Sequence, residues 1–219
     1  MKRLLIVAIC AICLVGLSQA QIASSPHDLS SVTGSGNDYY STNQDQICIF
    51  CHTPHFASAT QTPLWNRNDP LTTYETYWSP TIDAYAVGDT PDVSGSSLIC
   101  LSCHDGVTAL NSLIYEGSVG TPTMNNGDNV ITGTANLADG TNGLSNDHPV
   151  SFFYADAIAN GDLGLNPVAG LPGWALDGTG TVQCASCHDV HSYGATADMQ
   201  PFLNDSKTGS AICLQCHDK

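Results

Sequence analysis

The sequence predicts a mostly irregular fold: coil, with short α-helices around its cysteine motifs and a few short β-strands. Three observations lead there. The chain is rich in Gly, Asn, Asp, Ser and Thr, and after the first twenty residues it has no long apolar segment of helical or strand period. The stretches 121–147, "TPTMNNGDNVITGTANLADGTNGLSND", and 86–97, "AVGDTPDVSGSS", read as loops and turns. Beyond the first twenty residues, every cysteine falls in one of four identical short motifs. Protein side chains alone would make a thin core here, so either the chain is partly disordered or a group other than protein fills its interior.

The chain opens "MKRLLIVAICAICLVGLSQAQ". Lys2 and Arg3 precede an apolar run to about Leu17, and small residues follow at Ser18 and Ala20. This is the pattern of a secretory signal, residues 1–20, cleaved after Ala20. A transmembrane anchor is the rival reading, but the run is short and polar residues follow it rather than a basic stop. Cys10 and Cys13 lie inside the run, each preceded by isoleucine (Ile9, Ile12), which argues against lipid modification. No later stretch is apolar for long enough to cross a bilayer.

Without residues 1–20, Arg67, Lys207 and Lys219 face 20 acids, a net charge of −17. That surface repels nucleic acid and anionic lipid and suits a cationic partner. It also opposes self-association unless cations or close contacts offset the repulsion. The expected location is extracellular or at the cell surface, with the periplasm as the alternative.

The eight remaining cysteines form the pairs Cys48/Cys51, Cys100/Cys103, Cys184/Cys187 and Cys213/Cys216. Each pair is followed directly by a histidine: His52, His104, His188 and His217. C-x-x-C-H is the attachment pattern of c-type haem. On one helical turn two thiols share a face and reach both vinyl groups of one porphyrin, while the next residue offers an imidazole to the iron. A disulfide framework suits an exported chain, but it does not explain four histidines at one fixed position. Zinc ribbons rarely place histidine directly after each pair. A thioredoxin-like pair occurs once, on a βαβ background. The pattern therefore implies four covalently bound haems c, which supply the missing core.

The other four histidines are His27, His55, His148 and His191. Four irons with one proximal histidine each need four distal ligands, so the tally closes and suggests bis-histidine ligation throughout. A methionine ligand would raise the potential, and Met124 and Met199 are available. His52 and His55 lie three residues apart on one side of the chain, so His55 serves a different haem from His52, or none.

Around the motifs, helices are expected at "SSLICLSCHDG" (96–106), capped by Ser96 or Ser97 and stopped by Gly106, and at "YADAIANG" (154–161). A short hairpin strand is expected at Val130–Thr132. The aspartates of the three "CHD" triplets, Asp105, Asp189 and Asp218, read either as caps beside a haem or as solvated turn residues.

The order of motifs repeats: a lone histidine, C-x-x-C-H-x-x-H, then C-x-x-C-H, from His27 to His104 and again from His148 to His217. "SSLICLSCHD" also resembles "GSAICLQCHD". The chain reads as a duplicated two-haem module, 21–117 and 118–219, forming one compact unit. The first copy has an insertion at about 70–95 with Tyr74, Tyr77, Trp78 and Tyr85, which reads equally as a contact surface and as a plain loop.

The elements "SPHDLS", "CIFCHTPH", "PLWNR", "LICLSCHDG", "NDHPVSF" and "CASCHDVH" resemble the multihaem cytochromes c with doubled C-x-x-C-H motifs. With four haems the chain looks most like the extracellular tetrahaem cytochromes of the OmcE type, which polymerise into conducting filaments. The resemblance implies haems stacked in a continuous row and extracellular electron transfer. It also implies an axial histidine donated across the subunit boundary, for which His55 is the first choice, ahead of His27 and His191. Partners are then further copies of the chain, other redox proteins and extracellular electron acceptors. The same motifs occur in monomeric periplasmic carriers, which remain the alternative. A multihaem reductase needs an open iron and basic residues around an anionic substrate, and neither is expected here.

Overall fold

A computed structural model describes residues 22–23, 25–32, 37–70, 73–85, 91–127, 129–138, 143–192, 197–199 and 201–218. The proposed signal segment lies outside them. The fold is mostly coil, as the composition predicts. Three short helices stand out: α1 (Gly95–His104), α2 (Tyr154–Asn160) and α3 (Ala211–Leu214). One antiparallel pair, β1 (Phe152–Phe153) and β2 (Thr181–Val182), sets Phe152 opposite Val182.

Helix α1 covers the expected segment with a different start. Ser94 precedes it in extended conformation, and its side chain makes no capping bond. Ser97 lies inside the helix, where its Oγ donates to Gln183 Oε1 at 2.6 Å instead of capping. The helix ends before Gly106, whose φ is +68°; a Cβ there would sit 2.2 Å from the Asn136 side chain. Helix α2 runs as expected and ends at Gly161, left-handed at φ 115°, whose N–H satisfies the carbonyls of Ala157 and Ile158.

No strand forms at Val130–Thr132. Asn129 has φ 56°, which breaks an extended run there, and a 3-10 turn follows at Gly133–Ala135. The strand pair forms instead beside α2.

Buried apolar residues gather in two small clusters. One holds Leu29, Ile49, Phe50, Leu110, Met124 and Ile131, with Cys51 and Cys103 at its edge. The other holds Ala84, Phe152, Tyr154, Ala157 and Val182, with Ile82, Tyr85 and Cys216 against it. Among the described residues, buried polar side chains are about as numerous as buried apolar ones. Protein side chains alone thus make a thin core.

The insertion is a strap. Thr76 bridges to Leu144, and Asn160 Nδ2 donates to the Asp83 carbonyl at 2.9 Å. Ile82, Ala84 and Tyr85 then enter the second cluster, beside the downstream motifs.

Candidate functional site

Each C-x-x-C-H motif forms one turn of helix. In the first, the N–H groups of Cys51 and His52 both donate to the Cys48 carbonyl, at 3.1 and 2.7 Å. Cys187 and His188 do the same to Cys184, at 3.2 and 3.1 Å, and Cys216 and His217 to Cys213, at 3.1 and 2.9 Å. The second motif is the last turn of α1. Residues three apart on such a turn share a face, so each thiol pair points one way. All eight thiols are free, with Cys48 and Cys213 exposed and the others half-buried.

Three of these turns are seated by an asparagine that the sequence reading missed. Asn66 donates its backbone N–H to the Cys51 carbonyl at 2.8 Å and its Nδ2 to the Ile49 carbonyl at 2.6 Å. Asn204 does so to Cys187 at 2.8 Å and Ala185 at 3.1 Å. Asn166 does so to Cys216 at 2.8 Å and Leu214 at 3.0 Å. In each case the residue before the asparagine bridges to the motif histidine: Trp65 to His52, Leu203 to His188, Leu165 to His217. The recurring signal is an apolar–Asn dipeptide. Asn204 also begins an N-x-S triplet, but here its amide is engaged in the turn.

The motif imidazoles are oriented by backbone. The Nδ1–H of His52 donates to the Pro63 carbonyl at 2.8 Å, that of His104 to Ala135 at 2.7 Å and that of His188 to Pro201 at 2.9 Å. A metal-bound histidine characteristically donates its other ring nitrogen in this way, which fixes the tautomer and leaves Nε2 for the metal. Leu64 and Phe202, both left-handed at φ 52° and 57°, turn the Pro63 and Pro201 carbonyls into place.

The other histidines stand opposite these rings. His27 and His104 have ring centres 5.9 Å apart, His52 and His191 6.2 Å, and His148 and His217 6.3 Å. Two imidazoles on opposite faces of one iron, at metal–nitrogen bonds of about 2 Å, have centres about 6 Å apart. Among the described residues, His55 and His188 have no ring partner of this kind. Both are exposed. Met124 is buried in the first apolar cluster, away from such a role.

Second contacts hold the lone histidines. The His27 loop is tied by Asn37 Nδ2, which donates to the Ser25 and Asp28 carbonyls at 2.7 and 2.9 Å. Asp189 Oδ1 accepts the His191 N–H at 2.9 Å and lies 3.5 Å from its Nδ1. Asp105, buried, closes the turn after α1 by accepting from the Val107 and Thr108 N–H groups at 2.9 and 2.7 Å. Asp218 is exposed.

Burial depresses the His27 pKa to about 4, helped by His104, His188 and His191, so its ring is neutral at pH 7. Burial likewise lowers His104. A neutral imidazole is the form that ligates. Burial pushes the Cys51 thiol up to about 12; Cys103 adds to the shift and Arg67 opposes it. Burial raises Cys187 to about 11, with Cys216, Cys213 and Cys184 adding. Cys100 and Cys184 share a hydrogen bond that raises the first and lowers the second. These couplings put the motifs beside one another in chain order: first by second, second by third, third by fourth.

The residues fit haem c. Paired free thiols lie on one face, backbone-anchored imidazoles present Nε2, a second ring lies at the right distance in three places, and the buried His27 Nδ1 has no hydrogen-bond partner. Among the described residues there is no cluster of three or more side chains suited to a bare metal ion, and no helix long and apolar enough to cross a membrane.

No curated protein matches the chain. Residues 178–219, which contain the third and fourth motifs, match the family model of the doubled CXXCH motif.

Proposed function

We propose that the protein is a tetrahaem electron-transfer cytochrome that works outside the cytoplasm, with modules 21–117 and 118–219 acting as one unit. One observation carries this reading: three ring pairs at 5.9 to 6.3 Å each join a C-x-x-C-H histidine to a histidine outside the motifs. Cys48/Cys51, Cys100/Cys103, Cys184/Cys187 and Cys213/Cys216 form the thioether bonds. His104 and His27, His52 and His191, and His217 and His148 are the axial pairs. When bound, haem c supplies a one-electron ferric–ferrous couple. The protein's residues hold His27 and His104 neutral, aim His52, His104 and His188 from the backbone and would supply both axial ligands at three of the four haems, which would leave those irons no site for a substrate. The role is therefore outer-sphere electron transfer rather than catalysis.

His55 and His188 remain. His188 has its backbone anchor at Pro201 like His52 and His104 but no opposing ring among the described residues, and His55 is exposed. This supports a polymer in which His55 of one copy ligates the haem on Cys184–His188 of the next. The exported wild type should carry four haems by intact mass, show low-spin irons throughout and form filaments by electron microscopy. His55→Ala should yield non-polymeric protein with one haem in four high-spin. Monodisperse low-spin wild type would establish a monomeric carrier instead. Cyanide binding to native protein would point to a reductase.

A further inference from the structure

Arg67 is the one basic side chain that is fully buried among the described residues, at 1% exposure. Its Nε donates to the Ser102 carbonyl at 3.0 Å, Nη1 to Leu110 at 2.7 Å and Nη2 to Ala109 at 2.6 Å. All three acceptors are neutral carbonyls, and no carboxylate pairs with it among the described residues. A buried cation without a counter-charge is costly, so its retention calls for a use. Ser102 lies between Cys100 and Cys103, and the Arg67 charge is felt at the Cys51 thiol. Arg67 thus stands between the first and second attachment turns.

The duplicated module has an equivalent position. Pro63 and Pro201 both accept from a motif histidine, Leu64 and Phe202 are both left-handed, and Asn66 and Asn204 both seat a motif turn. The next residue is Arg67 in the first copy and Asp205 in the second. Asp205 Oδ2 accepts from Gln215 Nε2 at 2.8 Å, and Gln215 holds the same place between Cys213 and Cys216 that Ser102 holds between Cys100 and Cys103. One slot, reaching one position of the partner motif, therefore carries opposite charge in the two halves.

Resting on the haem assignment above, we propose that Arg67 and Asp205 split the reduction potentials of the two halves. Arg67 raises the haem on Cys48–His52, and Asp205 lowers its copy on Cys184–His188. A buried positive charge favours the ferrous state, and a carboxylate favours the ferric state, because reduction adds one negative charge to the site. Asp147, whose charge acts at the Cys184 thiol, and Asp189, next to His188, add negative charge at the third motif, so the contribution of Asp205 is read from its own substitution. Asp105 is buried beside His104, on the second motif rather than the first, and Asp28 is buried beside His27. Asp69 is half-buried and bonded to Gln61, and Lys207 is exposed, so water screens it. A single electron given to the chain then resides preferentially in the first half.

The test is a spectroelectrochemical titration of the exported holoprotein, with haem content by intact mass and spin state by absorption. Arg67→Met should move the high-potential end of the curve downward by about tenfold in the one-electron equilibrium constant, about 59 mV. Arg67→Lys should retain most of the wild-type position. Asp205→Asn should move the low-potential end upward, so that either change narrows the spread. Curves that superimpose on the wild type, or movement in only one of the two positions, overturn the proposal while four low-spin haems leave the cytochrome assignment standing. If Arg67→Met does not accumulate, an unchanged Asp205→Asn curve is enough to overturn it. Wild type lacking four haems would instead overturn the assignment itself.

Discussion

At the scale of single residues, Asn66, Asn166 and Asn204 matter beyond their appearance. An asparagine in a polar loop reads as a turn former, and nothing local marks it out. Each one bonds a motif carbonyl 17, 48 or 19 residues away in the chain, a separation that no local pattern reveals. The cysteines and their histidines were legible for the opposite reason: the chemistry fixes their spacing, so it shows in the sequence itself. Asn66 is fully buried and also bonds Tyr115 through both its amide oxygen and its nitrogen, each at 2.8 Å. Asn66→Ala leaves several of these groups unsatisfied, which costs about 1–3 kcal/mol. The midpoint of thermal unfolding of the holoprotein should fall by about 2–4 °C per kcal/mol. Asn204→Ala should cost less, because its amide bond is exposed. Equal, negligible effects from both would show that the turns are held by the cysteine linkages alone.

Between elements, the junction to consider joins α1 to the turn at Cys184–Ser186. Gln183, nearly fully buried, accepts from Ser97 Oγ at 2.6 Å and from Ser151 Oγ at 3.3 Å and donates to Thr181 Oγ1 at 2.9 Å. Ser97 Oγ in turn accepts the Cys184 N–H at 3.0 Å. This network sets the second motif against the third. The helix expected at 96–106, observed at Gly95–His104, was legible from its stop at Gly106, while the expected serine cap does not form. The role of Ser97 was not, since its partner lies 86 residues away. The strand expected at Val130–Thr132 failed on one left-handed asparagine, and the real pair was hidden because each strand is only two residues long. Gln183→Leu strips partners from three hydroxyls. It should lower the melting midpoint by several degrees and slow electron exchange between the halves in stopped-flow reduction. A variant as stable and as fast as wild type would show that packing alone aligns the two motifs.

For the whole molecule, charge and assembly pull against each other. A net charge of −17 after removal of the proposed signal makes copies repel, so the proposed polymer would depend on short contacts such as a His55–iron bond. Raising salt from about 10 mM to about 150 mM shortens the screening length from about 30 Å to about 8 Å. Filament growth, followed by light scattering, should therefore increase over that range; a decrease would place attractive charge pairs at the subunit contact.

The strap has a consequence of a different kind. The motif order reads as two copies of one module, yet Ile82, Ala84 and Tyr85 from the upstream stretch complete the apolar cluster of the downstream one. A fragment covering 118–219 would leave Phe152, Tyr154 and Ala157 without that cover. The halves share a pattern of motifs, but a separately expressed second half is expected to be less stable than the whole chain. A sequence that reads as a repeat is thus tied together across its two halves.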